Sequence, residues 1–257
     1  MATQIALQMY TLREFCKTPA DVAATLKRVK SIGYDAVQVS GFGPIENAEL
    51  VRILRGEGLV CCATHIPIDR MESDPAGVID DHAALGCTLT AIGGHFGKPY
   101  TAENWESFVA RYNAIAQKFA GSPLRIGYHN HSHELMRFAE MGGKTVLETL
   151  VQRLDPSVWM EIDTYWIQFG GGDPAAWIDR VTGRIPAVHL KDMAVVGLNE
   201  SKPVMAEVGE GNLNWPRILD SCRRAGVQWY IIEQDICQRD PFESVAISLR
   251  NLKAMLR

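Results

Sequence analysis

The 257-residue sequence contains no apolar run of eighteen residues, so it offers no membrane-spanning helix. Its opening, MATQIALQMYTLR, lacks a basic segment followed by a long apolar stretch and does not read as a secretory signal. Positive charge is not in excess. With 26 Lys and Arg against 30 Asp and Glu, the net charge of −4 leaves no electrostatic reason to expect nucleic acid or an anionic membrane as partner. The six cysteines form no CxxC pair and no small-domain framework. Cys61 and Cys62 are adjacent within an apolar run, which suits reduced packing thiols in a cytoplasm. There is no linker, low-complexity segment or repeat beyond an alternating short and long unit. These absences describe a soluble, cytoplasmic, globular chain.

What is present is a regular alternation. Short apolar runs at 5–10, 35–40, 59–65, 88–94, 124–131, 158–163, 187–192 and 229–235 read as strands. Each is followed by a helical pattern, at 19–33, 45–58, 74–86, 101–121, 143–154, 173–183, 215–226 and 240–256. Several helices carry start and stop signals: Asp173-Pro174 and Asp240-Pro241 at N-termini, Thr101 and Glu103 near another, Gly33 at a C-terminus. Strict β/α alternation implies a parallel sheet, because parallel strands need crossovers of about this length. Eight units in this length fit a closed (β/α)8 barrel, one α/β domain over residues 1–257. An open doubly wound sheet predicts a glycine fingerprint after the first strand, and MYTLREF has none.

The polar residues are distributed accordingly. Six of the seven histidines, at 65, 95, 129, 131, 133 and 189, lie at or just beyond a predicted strand end. Glu161, Asp163, Lys191, Asp192, Glu233 and Asp235 join them there. The active site of such a barrel lies at this end. Residues two apart share a face of a strand, which pairs Glu161 with Asp163, His189 with Lys191, and Glu233 with Asp235. Ionised groups are too costly to bury unpaired. A divalent metal held by mixed oxygen and nitrogen ligands is the economical reading of carboxylates and imidazoles converging on one mouth.

At these residues the sequence resembles the xylose isomerase-like barrel superfamily, the sugar phosphate isomerase/epimerase group. The resemblance runs from LQMYTLR to YIIEQD, through YHNHSHE, EIDTYW, GRIPAVHLKD and EVGEGNLNW. It implies one divalent metal, manganese first with magnesium, cobalt or zinc as alternatives. Carried over, the ligands are Asp163, His189 and Glu233, with a fourth from the fifth strand. Many relatives have a glutamate there where this chain has His129. Glu134, folding back from the loop, is the favoured fourth ligand, and His129 the alternative.

The implied chemistry is enolisation of a sugar or keto-sugar, giving isomerisation or epimerisation through an enediolate, with β-elimination or dehydration by the same first step as the rival. Glu233 or a histidine of the fifth strand would take the proton: His131 first, then His129 and His65. Lys191 would face the developing oxyanion, and Glu161 is read as that lysine's structural partner. Gln8, Tyr10, His65 and His95 are candidate substrate contacts, Trp166 a face for a sugar ring. Glu207 belongs to a long connection (193–212) expected to be irregular and to fold over the substrate. Few basic residues lie at strand ends, which favours an unphosphorylated sugar. The other rivals are a nuclease, which the net charge opposes, and a non-catalytic sugar-binding barrel. Family habit implies a homo-oligomer.

Overall fold

Strands covered by helices on one side and by a barrel lumen on the other are buried on both faces, and so read as short apolar runs. The computed structural model describes residues 4–257. Its strands are β1 (Gln4–Gln8), β2 (Ala36–Val39), β3 (Val60–His65), β4 (Leu89–Ile92), β5 (Arg125–His129), β6 (Trp159–Asp163), β7 (Ala187–Leu190), β8 (Asp192–Val196), β9 (Lys202–Ala206) and β10 (Trp229–Ile232). Eight of them close a barrel in the order β1-β10-β7-β6-β5-β4-β3-β2, every pair parallel. The helices are α1 (Pro19–Ile32), α2 (Asn47–Gly56), α3 (Ile68–Ser73), α4 (Pro75–Leu85), α5 (Ala102–Lys118), α6 (Val146–Arg153), α7 (Thr164–Phe169), α8 (Pro174–Arg180), α9 (Trp215–Ala225) and α10 (Pro241–Met255). The (β/α)8 architecture expected from the sequence is the one observed. α3 and α7 are short additions that follow β3 and β6.

The helix boundaries are set by local chemistry. Thr18 with Asp21 and Thr145 with Glu148 form reciprocal capping boxes at α1 and α6, and Thr101 Oγ1 accepts from Asn104 N–H at α5. Asp173 and Asp240 cap α8 and α10, each with proline at the first helical position. None of the described helices is long and apolar enough to cross a membrane.

Two apolar regions hold the barrel together. The larger lies between strands and helices. The smaller fills the bottom of the lumen, where Ala6, Ala36, Ala91 and Ala187 surround the indole of Trp159. Gly127 on β5 makes room for that ring, because a Cβ there would collide with it. Above this floor the lumen turns polar. On β6 the inward residues run Trp159, Glu161, Asp163; on β7 they run Ala187, His189 and, past the strand, Lys191; on β10 and beyond, Ile231, Glu233, Asp235. Register puts His129 beside Glu161, Asp163 beside His189, and His189 beside Ile231.

The segment after β7 departs from expectation. In place of an irregular stretch, β8 and β9 pair as an antiparallel hairpin. Beyond it the turn carrying Gly209–Trp215 is gathered around one buried carboxylate. Asp192 accepts from the backbone N–H groups of Met193, Gly209, Gly211 and Leu213 and from the Trp215 indole. A Cβ at Gly211 would collide with that carboxylate, which accounts for the glycine in EVGEGNLNW. Asp192→Ala strands several buried N–H groups at about 1–3 kcal/mol each. The expected result is a melting temperature lower by roughly 10 °C. A calorimetric scan showing a change of a degree or two would remove Asp192 as the organiser of this turn.

Candidate active site

At the C-terminal mouth, two sets of donor atoms converge among the described residues, each within 4.8 Å of its fellows: His129, Asp163, His189 and Glu233 in one, and His65, His129, Glu161 and His189 in the other. Their hydrogen bonding tells them apart. In the second set both oxygens of the carboxylate are already engaged. Glu161 Oε2 lies 2.5 Å from His65 Nε2, and Glu161 Oε1 accepts from Gln38 Nε2 at 2.9 Å. Gln38 Oε1 in turn accepts from His189 Nε2 at 2.6 Å.

In the first set, Asp163 Oδ2, His189 Nδ1 and Glu233 Oε2 are buried with no well-aligned hydrogen bond and meet one another and the Lys191 ammonium, while His129 turns Nδ1 toward Glu161 Oε2 at 3.6 Å. His189 Nδ1 stands 2.8 Å from Glu233 Oε2 and 3.8 Å from Asp163 Oδ2, and His129 Nε2 stands 3.9 Å from Asp163 Oδ2. Two carboxylates and two imidazoles, converging in this way, are a fitting set for a divalent cation.

Among the described residues, the only cation reaching these carboxylates besides His189 is Lys191. Its ammonium, buried, lies 3.0 Å from Asp163, 2.7 Å from Glu233 and 2.8 Å from Asp235. Burial works against the charge on every one of these groups, and the outcome depends on partners. Burial would lower Lys191, yet Asp163, Glu233 and Asp235 hold its pKa well above the usual lysine value. Burial would likewise lower His189, but Glu161 and Glu233 raise it to about 10. Glu233 is kept well below the ordinary range by Lys191 and His189 despite its burial, and Glu161 by His189 and His65. For Asp163 burial prevails over Lys191 and His189, and its pKa rises to about 6. His129 falls to about 3 through burial and its neighbour His189, and His131 is lowered strongly by burial and His129.

Each residue singled out in the sequence has a definite place. Asp163, His189 and Glu233 lie together in one donor set, and His129 is its fourth member. Glu134 belongs to neither donor set. Its oxygens accept from the Tyr128 hydroxyl and the His131 backbone N–H, 2.6 and 2.8 Å away, and burial raises its pKa to about 7. The short 3-10 turn His133–Leu135 that carries it turns the side chain back under the loop. Tyr10, His65, His129, His131, Trp166 and Glu233 line a cavity of about 520 Å³ over the mouth, together with Arg13, Phe96, Asp235 and Ile236. His131 and Trp166 lie side by side there, rings 5.1 Å apart, with His131 Nδ1 and Trp166 Nε1 both unpaired.

Three assignments differ. Gln8 is fully buried, with Oε1 on the Tyr10 N–H and Nε2 unpaired, and is not part of that cavity's wall. His95 faces a neighbouring cavity of about 720 Å³, stacked on Phe108 and bonded to Asn104. Glu207 turns away from both, accepting from Ser244 Oγ and pairing with Arg239, because the hairpin carries it toward α10. Asp235, which pairs with Lys191, and Gln38, which bonds Glu161, are further residues of the mouth. The signal for Gln38 lies in DAVQVS, where alternation from Ala36 puts an amide on the lumen face. A further cavity of about 350 Å³, lined by Gln4, Asp35, Trp229 and Lys253, opens at the other end of the barrel and gathers no convergent donor set.

A closed eight-strand parallel barrel with polar and ionisable side chains at the C-terminal mouth defines an enzyme-like (β/α)8 protein. The chain belongs to the xylose isomerase-like TIM barrel family, whose model matches residues 26–255. It is 23% identical over 265 residues to the rhizopine catabolism protein MocC of Rhizobium meliloti, covering 90% of this chain and 80% of that one. It is 24% identical over 160 residues to the inosose dehydratase of Geobacillus thermodenitrificans, covering 56% of this chain and about half (52%) of that enzyme. A sugar phosphate isomerase/epimerase from Parabacteroides distasonis superposes with a TM-score of 0.79 at 24% identity over the full length of both chains, which establishes the shared fold.

Proposed function

We propose that this protein is a divalent-metal-dependent enzyme that enolises a sugar or keto-sugar, the product being an isomer or epimer. The observation that carries the reading is the convergence of donor atoms on Asp163, His189 and Glu233, with His129 beside them, at the mouth of a cavity sized for a small sugar. A cation held there supplies Lewis-acid polarisation of a carbonyl and its neighbouring hydroxyl. The chain's own residues do the rest. Lys191 Nζ, protonated and held by three carboxylates, fixes Asp163, Glu233 and Asp235 beside the cavity. His131 lines the cavity as a neutral imidazole and is the candidate base. Trp166 offers its unpaired Nε1–H to a substrate hydroxyl. Arg13 is already committed to the Tyr10 and Asp235 carbonyls, which supports an unphosphorylated substrate.

A second reading, elimination of water or another β-leaving group from the same enolate, is favoured by the fifth strand. Where epimerisation needs a second base to return the proton on the opposite face, β5 presents His129 rather than a carboxylate, and the inosose dehydratase similarity points the same way. The experiment is elemental analysis of protein purified without chelator, followed by incubation of the manganese-loaded protein with inososes and ketoses in D2O. About one ion per chain and C–H to C–D exchange beside the carbonyl are expected. An epimer identifies the first reading and an unsaturated ketone the second. Folded protein that takes up no metal and exchanges no substrate proton would end both.

A further inference from the structure

Beneath the proposed cation site lies a layer of hydrogen bonds that no strand ladder requires. Gln38 sits on β2, whose neighbours in the barrel are β1 and β3, yet its side chain bonds across the lumen to Glu161 on β6 and His189 on β7. It is completely buried, as are both partners.

The order of donors and acceptors in this layer follows from chemistry. A carboxylate accepts and does not donate, so Glu161 Oε1 faces the amide nitrogen of Gln38 at 2.9 Å. That orientation turns Gln38 Oε1, a pure acceptor, onto His189 Nε2 at 2.6 Å, and Glu161 Oε1 lies 3.2 Å from the same nitrogen. Nε2 must therefore carry the hydrogen. The donor left for a cation is Nδ1, the nitrogen that faces Asp163 and Glu233 and has no well-aligned hydrogen bond. His65 completes the layer: its Nε2 at 2.5 Å engages Glu161 Oε2, so both Glu161 oxygens are occupied away from the cation.

We propose that Gln38, backed by Glu161, is a positioning residue that holds His189 with Nε2–H downward and Nδ1 presented to the divalent cation. The proposal rests on the metal reading above. Outer partners of metal-bound histidines fix ring orientation, and their loss weakens metal affinity by roughly ten- to a hundredfold. Glu161 thereby gains a role distinct from the lysine partner expected from sequence: its nearest contacts are His65 and Gln38.

The test is a titration with Mn2+, following the free ion by electron paramagnetic resonance, for the wild type, Gln38→Leu and Gln38→Glu. Gln38→Leu removes the acceptor beneath His189, and its dissociation constant is expected to rise roughly ten- to a hundredfold. Gln38→Glu rescues most of the affinity, since a protonated carboxyl beside Glu161 reproduces the amide's donor and acceptor. Folded Gln38→Leu protein that binds Mn2+ as tightly as the wild type overturns the proposal and leaves the metal reading intact. A wild type that binds no Mn2+ sinks both. Should Gln38→Leu fail to fold, nitrogen-15 spectra of the Zn2+-loaded wild type decide alone: Nδ1 bound to metal with Nε2 protonated is expected, and Nε2 coordination overturns it.

Discussion

Asp163→Asn is expected to lower the rate of substrate C–H exchange on the order of 10³-fold and to leave the protein with little bound metal. The choice of asparagine matters. Asp163 Oδ1 caps α7 by accepting from the Trp166 N–H at 2.9 Å, and asparagine caps about as well as aspartate. What the substitution removes is the charge on Oδ2, the oxygen that faces His189 Nδ1, His129 Nε2 and the Lys191 ammonium. Metal-free stability should move the other way. Burial lifts the folded pKa of Asp163 from its ordinary 3.8 to about 6. A carboxyl raised in this way adds stability that is complete below 3.8 and lost as pH rises through about 6. Above that range the neutral amide carries no such penalty. The metal-free variant should therefore melt at or above the wild-type temperature at pH 8, with Lys191 still paired to Glu233 and Asp235. Metal content by elemental analysis and exchange in D2O check the first part, calorimetry the second. A variant that keeps one ion per chain and exchanges within tenfold of the wild type removes Asp163 from the site.

Lys191→Met should destabilise the fold about as much as Asp192→Ala. Its ammonium is buried within 3.0 Å of three carboxylates, and His189 is the only other cation that reaches this group among the described residues. Breaking a buried ion pair by removing one partner costs about 3–5 kcal/mol, because the charges left behind are neither paired nor solvated. For a chain of this size that corresponds to a melting temperature lower by roughly 10 °C. The loss should shrink at acidic pH, where the abandoned carboxyls can protonate. It should also shrink when Mn2+ is added, because the ion supplies the missing positive charge. A melting temperature unchanged in metal-free buffer at pH 8 would show that the three carboxylates do not depend on this lysine.

The strength of both effects comes from one arrangement, in which inward positions on β6, β7 and β10 climb from an apolar floor to ionisable groups. That much was legible in the sequence. MEID, AVHL and IIE each alternate, and each ends at the mouth of a barrel, so Asp163, His189 and Glu233 could be named before any coordinates. The capped helices were legible for the same reason: Thr101 at α5 and Asp-Pro at α8 and α10 act within a single turn. The choice between Glu134 and His129 was not legible. The two are five residues apart at one strand end, and the decision lies with a 3-10 turn that aims Glu134 at Tyr128 and the His131 N–H. Glu207 was placed over the substrate because its segment showed no periodicity, yet β8 and β9 pair with each other and carry it toward Ser244.

Sequence by itself determined the β/α alternation, the strand ends on which ionisable groups gather, and the helix boundaries, because strand burial, side-chain alternation and capping act between residues close together in the chain. Tertiary structure alone decided which donors meet and which satisfy each other. Gln38 meets Glu161 and His189 across the lumen, over sequence separations of 123 and 151 residues, and Lys191 finds Asp235 beyond β10. Such contacts depend on closure of the barrel and on the rotamer each side chain takes inside it, and no local pattern encodes either.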